Sequence, residues 1–164
     1  MIARMIGTVG GVGYLRPAPG TWGSAAALPL AWAVHVVAGF PALAILCLAL
    51  FAAGWWATAQ MTAGQSDHDP SEIVVDEVVG QWIALAPILY VGWSPGLDGL
   101  VMWPGWIAAF VLFRLFDIWK PWLVGWADRR GDALGVMLDD VIAGVFAAIG
   151  VILLAGLYHG VLAR

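Results

Sequence analysis

The sequence predicts an all-α, polytopic membrane bundle of about five helices, with its polar helix ends clustered on the cytoplasmic side. Three observations carry that prediction. Of 164 residues, 62% are hydrophobic and only 11% are charged, less than half the roughly 25% typical of soluble chains. The charges also leave long gaps: no Lys, Arg, Asp or Glu occurs between Arg16 and Asp67, or within 78–97, 99–113 and 141–163. A soluble helix needs a polar outer face, and these stretches have none. Finally, the apolar runs are too long and alternate too poorly for strands. Several reach the ~20 residues that a helix needs to cross a bilayer core. A soluble globular enzyme, a disordered chain and a disulfide scaffold are thereby excluded, and the chain reads as a single integral-membrane domain over 1–164.

Uncharged runs mark the spans, and Pro, Gly or charge clusters mark the breaks. The first helix is expected over 23–40 and the second over 42–63, joined tightly at Gly39-Phe40-Pro41. The third is expected over 73–92, the fourth over 105–119 and the fifth over 135–158. The fourth is short, about 22 Å at 1.5 Å per residue, which keeps its polar end within the membrane boundary. Cys47, the only cysteine, falls in an apolar run, where a small buried hydrophobe is the ordinary role. His35 and His159 stand alone in apolar runs and read as packing residues. His68 lies in an acidic loop, where packing and ligand readings balance. Arg4 could open a signal peptide, but the glycines of 7–13 do not make its apolar core.

Five spans place the termini on opposite sides of the membrane. With the N-terminus in the cytoplasm, Arg4, Arg16, Arg114, Lys120, Arg129 and Arg130 fall inside and only Arg164 outside, as the positive-inside rule expects. The acids follow the same side, with Asp98 alone outside. That rule is blind to acids, so their concentration needs another cause. The formal net charge of -4 and the scattered basic residues exclude a nucleic-acid binder. Among the 11 tryptophans, Trp22, Trp119, Trp122 and Trp126 suit the inner interface, and Trp93, Trp103 and Trp106 the outer one. Trp32, Trp55, Trp56 and Trp82 read as packing. Ala143, Gly144, Ala147 and Ala148 would let the fifth helix approach a neighbour closely.

Three polar clusters bracket helix ends on the inner side: 68–77, 114–121 and 137–144. The first and third share a pattern, Asp76-Glu77-Val78-Val79-Gly80 against Asp139-Asp140-Val141-Ile142-Ala143-Gly144. One acid per first turn is explained by the helix dipole, worth about 0.3–1 kcal/mol. Adjacent acidic pairs at two membrane boundaries are not, because like charges repel and burial costs several kcal/mol per ion. A divalent cation relieves both costs, and oxygen ligands without clustered His or Cys favour Mg²⁺ or Mn²⁺ over zinc.

Arg114 and Asp117 face one side of the fourth helix, with Arg114 held inside the membrane boundary. An intrahelical ion pair beside a snorkelling Lys120 is one reading. An Arg114/Lys120 clamp on phosphate is the other. Near the chain start, Arg16-Pro17-Ala18-Pro19-Gly20-Thr21-Trp22-Gly23-Ser24 leads into the first helix. Its free N–H groups, with Thr21 and Ser24 hydroxyls nearby, form a candidate anion site. The alternative is an ordinary entry turn capped by Thr21 or Ser24.

Four blocks in order resemble the phosphatidylglycerophosphatase A family. They are Pro19-Gly20-Thr21-Trp22-Gly23-Ser24, the 73–84 block around Asp76-Glu77, the 113–122 block around Arg114, Asp117 and Lys120, and the 135–144 block around Asp139-Asp140. The sequence departs from the family pattern at Gln81, where Met is frequent, and at Leu123, where Pro is common. The resemblance implies a Mg²⁺-dependent lipid phosphatase of the bacterial inner membrane, converting phosphatidylglycerophosphate to phosphatidylglycerol at a site facing the cytoplasm.

On that resemblance, Asp76, Glu77, Asp139 and Asp140 are the expected catalytic residues. The same four, with Asp117 and Asp69, are the expected metal ligands. Arg114, Lys120, Thr21 and Ser24 are the expected phosphate-binding residues. Both attack by metal-activated water and a phospho-aspartate intermediate are compatible with this set. The rival function is a transporter or proton channel using the boundary carboxylates as a relay, but relay acids should be spread through the membrane depth. A non-catalytic membrane scaffold is a further rival.

Overall fold

The computed structural model of the chain describes residues 1–94 and 102–162. The expected outer loop around Asp98 and the terminal Arg164 lie outside the described residues. Among those described, the chain is helical with no strand. A short N-terminal helix, α1 (Ile2–Gly7), leads through a 3₁₀ turn (Val12–Tyr14) into α2 (Pro19–Thr62). Then come α3 (Val75–Gly92), α4 (Trp103–Trp119), α5 (Leu123–Asp128) and α6 (Ala133–Leu157), which tightens into a π-helical turn at Tyr158–Leu162. Helices α2, α3 and α6, the last with its π turn, are long and apolar enough to cross a membrane.

Helix α2 is 44 residues long and is not straight. Gly39 has φ 77° and ψ 176°, outside the helical region. Glycine adopts that conformation at little cost, and a side chain there would also crowd Trp93 Nε1. The chain folds back at this point. Gly20 lies against Glu77 at the start of α3, Gly39 against Trp93 at its end, and Gly54 against Val75 at its start again. The two arms of α2 are therefore the first two expected spans, and the break falls in the expected junction.

Three features were not legible from hydropathy alone. Helix α2 begins at Pro19, four residues before the expected start, with Pro at the first helical position and Ala18 as its N-cap. Thr21 and Ser24 are consequently inside the first turns and cap nothing. The short helices α1 and α5 are also additions, since six residues leave too little periodicity to detect. Trp55 and Trp56 correct a packing expectation: both are about half exposed on the outside of α2. Trp82 is buried and donates its indole N–H to the Ala27 carbonyl at 3.0 Å, and Trp32 stacks on His35. His159 is exposed, with its ring edge-on to Tyr158.

The core sits where α3 is enclosed by both arms of α2, α4 and α6. Val78, Leu85, Leu89, Phe113, Ala143 and Ala147 form its centre. The closest helix approach is between α3 and α6. A Cβ on Gly80 would lie 2.6 Å from the Asp140 carbonyl oxygen, and one on Gly144 would lie 3.0 Å from the Gly80 carbonyl carbon. Small residues at this crossing let the backbones touch, as dense packing in a membrane bundle requires. The crossing lies one turn below the acidic pairs of both helices, so it sets their separation.

Candidate active site

Four helix ends meet at one end of the bundle around a cavity of about 240 Å³. The start of α2 contributes Ala18, Pro19 and Gly20, and the start of α3 contributes Asp76 and Glu77. Arg114 and Asp117 come from the end of α4, with Lys120 just beyond it, and Asp139 and Asp140 from the start of α6. The loop before α3 closes the rim with Asp69, Ser71 and Ile73.

The carboxylates converge. Oxygens of Asp76, Glu77 and Asp140 all lie within 4.8 Å of one another. Asp76 and Asp140 are buried, and both Glu77 Oε2 and Asp140 Oδ1 are buried with no protein hydrogen-bond partner. Buried polar atoms are nearly always satisfied, and three close carboxylates repel. A hard, oxygen-seeking divalent cation satisfies the orphaned oxygens and cancels the repulsion together. The residues present therefore fit such an ion. Within each acidic pair, the first aspartate accepts the N–H of the next residue: Glu77 to Asp76 Oδ1 and Asp140 to Asp139 Oδ1, both 3.0 Å. Those bonds orient the Asp76 side chain in the first turn of α3 and the Asp139 side chain in the second turn of α6.

Two cations stand among these acids. Arg114 Nη1 donates to Asp117 Oδ2 at 2.6 Å and approaches Ser24 Oγ at 3.5 Å. Ser24 Oγ in turn donates to the Gly20 carbonyl at 2.9 Å. Gly20 leaves space for the two groups beside it: a Cβ there would collide with the Glu77 carboxylate and lie 3.3 Å from Arg114 Nη1. Lys120 stands in the left-handed region (φ 50°, ψ 52°) as the C-cap of α4. Its ammonium donates to Asp139 Oδ2 at 3.0 Å and to Asp128. Burial works against the Lys120 ammonium, but the hydrogen bonds and charge of Asp128 and Asp139 hold its pKa above the ordinary value. On the rim, partial desolvation pushes the Asp69 carboxyl up, with Lys120 pulling the other way.

The carboxylates and cations expected at the site, Asp69, Asp76, Glu77, Asp117, Asp139 and Asp140 with Arg114 and Lys120, thus line one cavity. Ser24 is fully buried behind it and touches Arg114 rather than lining it. Thr21 does not line it, and His68 is exposed. Two participants had no sequence signal of their own. Gly20 matters through what it lacks, and Asp128 meets Lys120 only because α5 turns back beneath it. A Gly in a helix's first turn, facing an acidic helix start, is the pattern that would have found the former.

A family model described as Phosphatidylglycerophosphatase A matches residues 5–155. The chain is similar to a Phosphatidylglycerophosphatase A of Haemophilus influenzae, 38% identical over 141 residues, covering 85% of this chain and 80% of the relative. A protein of that name from Escherichia coli K12 is 34% identical over 140 residues, covering 84% and 74%. A Bacteroides thetaiotaomicron protein, provisionally named phosphatidylinositol-3-phosphatase, is 40% identical over 149 residues, covering 88% of each. No solved structure matches the chain.

Proposed function

The chain belongs to the phosphatidylglycerophosphatase A family, and on that premise we propose that it hydrolyses the terminal phosphomonoester of phosphatidylglycerophosphate to phosphatidylglycerol and phosphate. The reaction is Mg²⁺-dependent and takes place in the bacterial inner membrane, with the cavity facing the cytoplasm and residues 1–164 acting as one domain. The observation that carries this reading is the pairing, in one cavity, of a converging carboxylate trio with the Arg114 guanidinium. Phosphomonoester hydrolysis needs those two elements: an oxygen-ligated cation and a fixed positive clamp on the phosphate.

In this mechanism Asp76, Glu77 and Asp140 would hold the Mg²⁺, and Asp117, Asp139 and Asp69 could offer further oxygens. Bound there, Mg²⁺ supplies Lewis acidity and neutralises charge on the phosphomonoester. Arg114 turns its guanidinium from Asp117 toward two phosphate oxygens, a bidentate geometry that Lys cannot copy. Lys120 adds a point charge from the Asp139 side. Ser24 steadies Arg114, and Thr21 supports the α2 start whose backbone faces the phosphate. As the water oxygen bonds to phosphorus, the bond from phosphorus to the glycerol oxygen breaks, and a carboxylate of the set takes the water's proton and passes it to that departing oxygen. The catalytic group is thus Asp76, Glu77, Asp139 and Asp140.

A transport relay is not favoured. Past Asp76 and Glu77 in the first turn of α3, and past Asp139 and Asp140 in the second turn of α6, neither helix carries an Asp, Glu, Lys or Arg among its described residues, so these two helices offer no relay of carboxylates across the bundle. The test is purified protein in detergent with phosphatidylglycerophosphate, with Mg²⁺ or with EDTA, and phosphatidylinositol 3-phosphate run in parallel. Metal-dependent phosphate release from phosphatidylglycerophosphate is expected to exceed that from the inositol lipid. Absence of release from folded protein removes the hydrolase reading, and the reverse preference changes the substrate.

A further inference from the structure

The outer faces of α4 and α5 carry a row of apolar side chains that the proposed chemistry does not use. Ile107, Val111, Leu115, Ile118 and Trp119 run along α4 at helical spacing, all exposed. Past the helix end the row continues through Trp122, which is 80% exposed, and Trp126. The other face of α5 is firmly seated. Val124, Gly125 and Ala127 are buried, and a Cβ on Gly125 would lie 2.7 Å from the Lys120 carbonyl oxygen.

The turn that joins the two helices is strained. Lys120 has φ 50° and Trp122 has φ 45° with ψ -101°. Positive φ in a bulky non-glycine residue is costly and persists only where the surroundings impose it. Its effect here is to split the segment between two directions. The Lys120 ammonium points inward to Asp139 at the cavity wall, and the Trp122 ring points outward.

An indole held in water keeps a large apolar surface hydrated, at a cost in free energy. At the edge of a bilayer that cost vanishes, because an indole has an apolar body and a polar N–H. Two further features say what covers this face. The row is continuous with the apolar flank of α4, which a lipid-embedded helix turns to the acyl chains. It also ends at the exposed Arg129, whose guanidinium suits anionic headgroups, beside Arg130, which pairs with Asp132.

We propose that α5 and the Lys120–Trp122 turn form a shelf seated in the phospholipid headgroup layer. The shelf fixes the cavity mouth at the depth of a lipid phosphomonoester, so the site draws its substrate from the bilayer surface rather than from solution. The substrate side of this inference rests on the phosphatase reading. The depth of the shelf does not, and the two are tested separately.

For depth, the protein is reconstituted in phosphatidylglycerol/phosphatidylethanolamine vesicles containing lipids brominated either near the headgroup or at the chain end. The difference in fluorescence between the unaltered chain and Trp122→Phe isolates the Trp122 signal. Stronger quenching by bromine near the headgroup is expected; stronger quenching from the chain end, or no quenching by either lipid, overturns the shelf. For function, Trp122→Ala/Trp126→Ala is assayed on long-chain phosphatidylglycerophosphate in mixed micelles and on a water-soluble short-chain analogue. The half-saturating surface concentration of the long-chain lipid is expected to rise about tenfold, equivalent to ~1.4 kcal/mol. kcat and turnover of the soluble analogue stay within about twofold, and Trp122→Tyr/Trp126→Tyr restores most of the loss. A parallel fall on both substrates, or no change on either, overturns the presenting role. If the unaltered chain hydrolyses neither substrate, the phosphatase reading fails while the quenching result still decides where the shelf lies.

Discussion

Gly80 of α3 and Gly144 of α6 meet backbone to backbone, so that a Cβ on Gly144 would lie 3.0 Å from the Gly80 carbonyl carbon. This contact sits one helical turn from Asp76 and Asp140 and brings their carboxylates into one group. Gly144→Val therefore has two expected consequences. Overpacking a tight crossing costs about 1–3 kcal/mol, visible as a lower thermal midpoint in detergent. The splayed helices also separate the acids, so divalent-cation affinity falls even at temperatures where the variant remains folded. Calorimetric titration with Mg²⁺ measures the second effect independently of the first.

Removing a carboxylate has opposite effects on stability and activity. Asp140 Oδ1 is buried without a protein partner, and buried like charges are costly. Without metal, Asp140→Asn is expected to unfold at a higher temperature than the unaltered chain. With saturating Mg²⁺ the order reverses, because only the unaltered chain gains binding energy, about 2.7 kcal/mol at a hundredfold excess over Kd. Phosphate release falls at least about 100-fold. Thermal scans with Mg²⁺ and with EDTA, paired with phosphate assays, read all three outcomes.

The ion pair between Arg114 and Asp117, at 2.6 Å, predicts an asymmetry. Arg114→Ala leaves Asp117 without its charge-assisted bond and removes the phosphate clamp, worth about 1.5–3 kcal/mol. KM for the lipid phosphate should rise roughly 10- to 100-fold. Arg114→Lys should recover stability more fully than KM, because an ammonium can pair with Asp117 but cannot grip two phosphate oxygens. Equal recovery of both would remove the bidentate role.

Gly20 offers a steric test of the cavity floor. A methyl group there collides with the Glu77 carboxylate and crowds Arg114, although alanine is the better helix former by about 1 kcal/mol. Gly20→Ala is expected to keep or raise thermal stability while Mg²⁺ affinity and turnover both fall. Unchanged metal binding would show that Glu77 can swing aside.

Stability at the start of α6 depends on pH through Asp132. Its side chain accepts from Arg130 and from the Gly135 N–H at 2.7 Å, and the Arg130 hydrogen bond, then the cap, hold its carboxyl below the usual value. A depressed folded-state pKa contributes stability above the unfolded value, near 4. That stability is lost as pH falls through the folded value. Asp132→Ala should cost about 1 kcal/mol at pH 7, the usual worth of an N-cap. The gap between the two chains should narrow below about pH 4 in thermal scans.

Much of this architecture was legible from the order of residues. The charge-free stretches after Arg16 and Val141 forced helices that turn apolar faces to lipid, because backbone groups in a bilayer must pair internally. Gly39-Phe40-Pro41 marked the fold-back in α2, since glycine admits the φ that the break requires. The acidic pairs and Arg114 announced themselves by where they lie: a charge at a membrane boundary is too costly to be incidental. What composition and spacing could not supply was distance. That Asp76, Glu77 and Asp140 converge within 4.8 Å while Asp139 turns to Lys120 follows from the Gly80–Gly144 crossing, a contact between residues 64 positions apart in sequence. Helix α5 escaped for a related reason. Six residues hold no periodic signal, and its seat depends on the Lys120 carbonyl and the buried face of α6. Local chemistry thus determined which residues belong at the membrane boundary. Only tertiary packing decided which of them touch, because a helix end is free in sequence until a neighbour's backbone fixes its height.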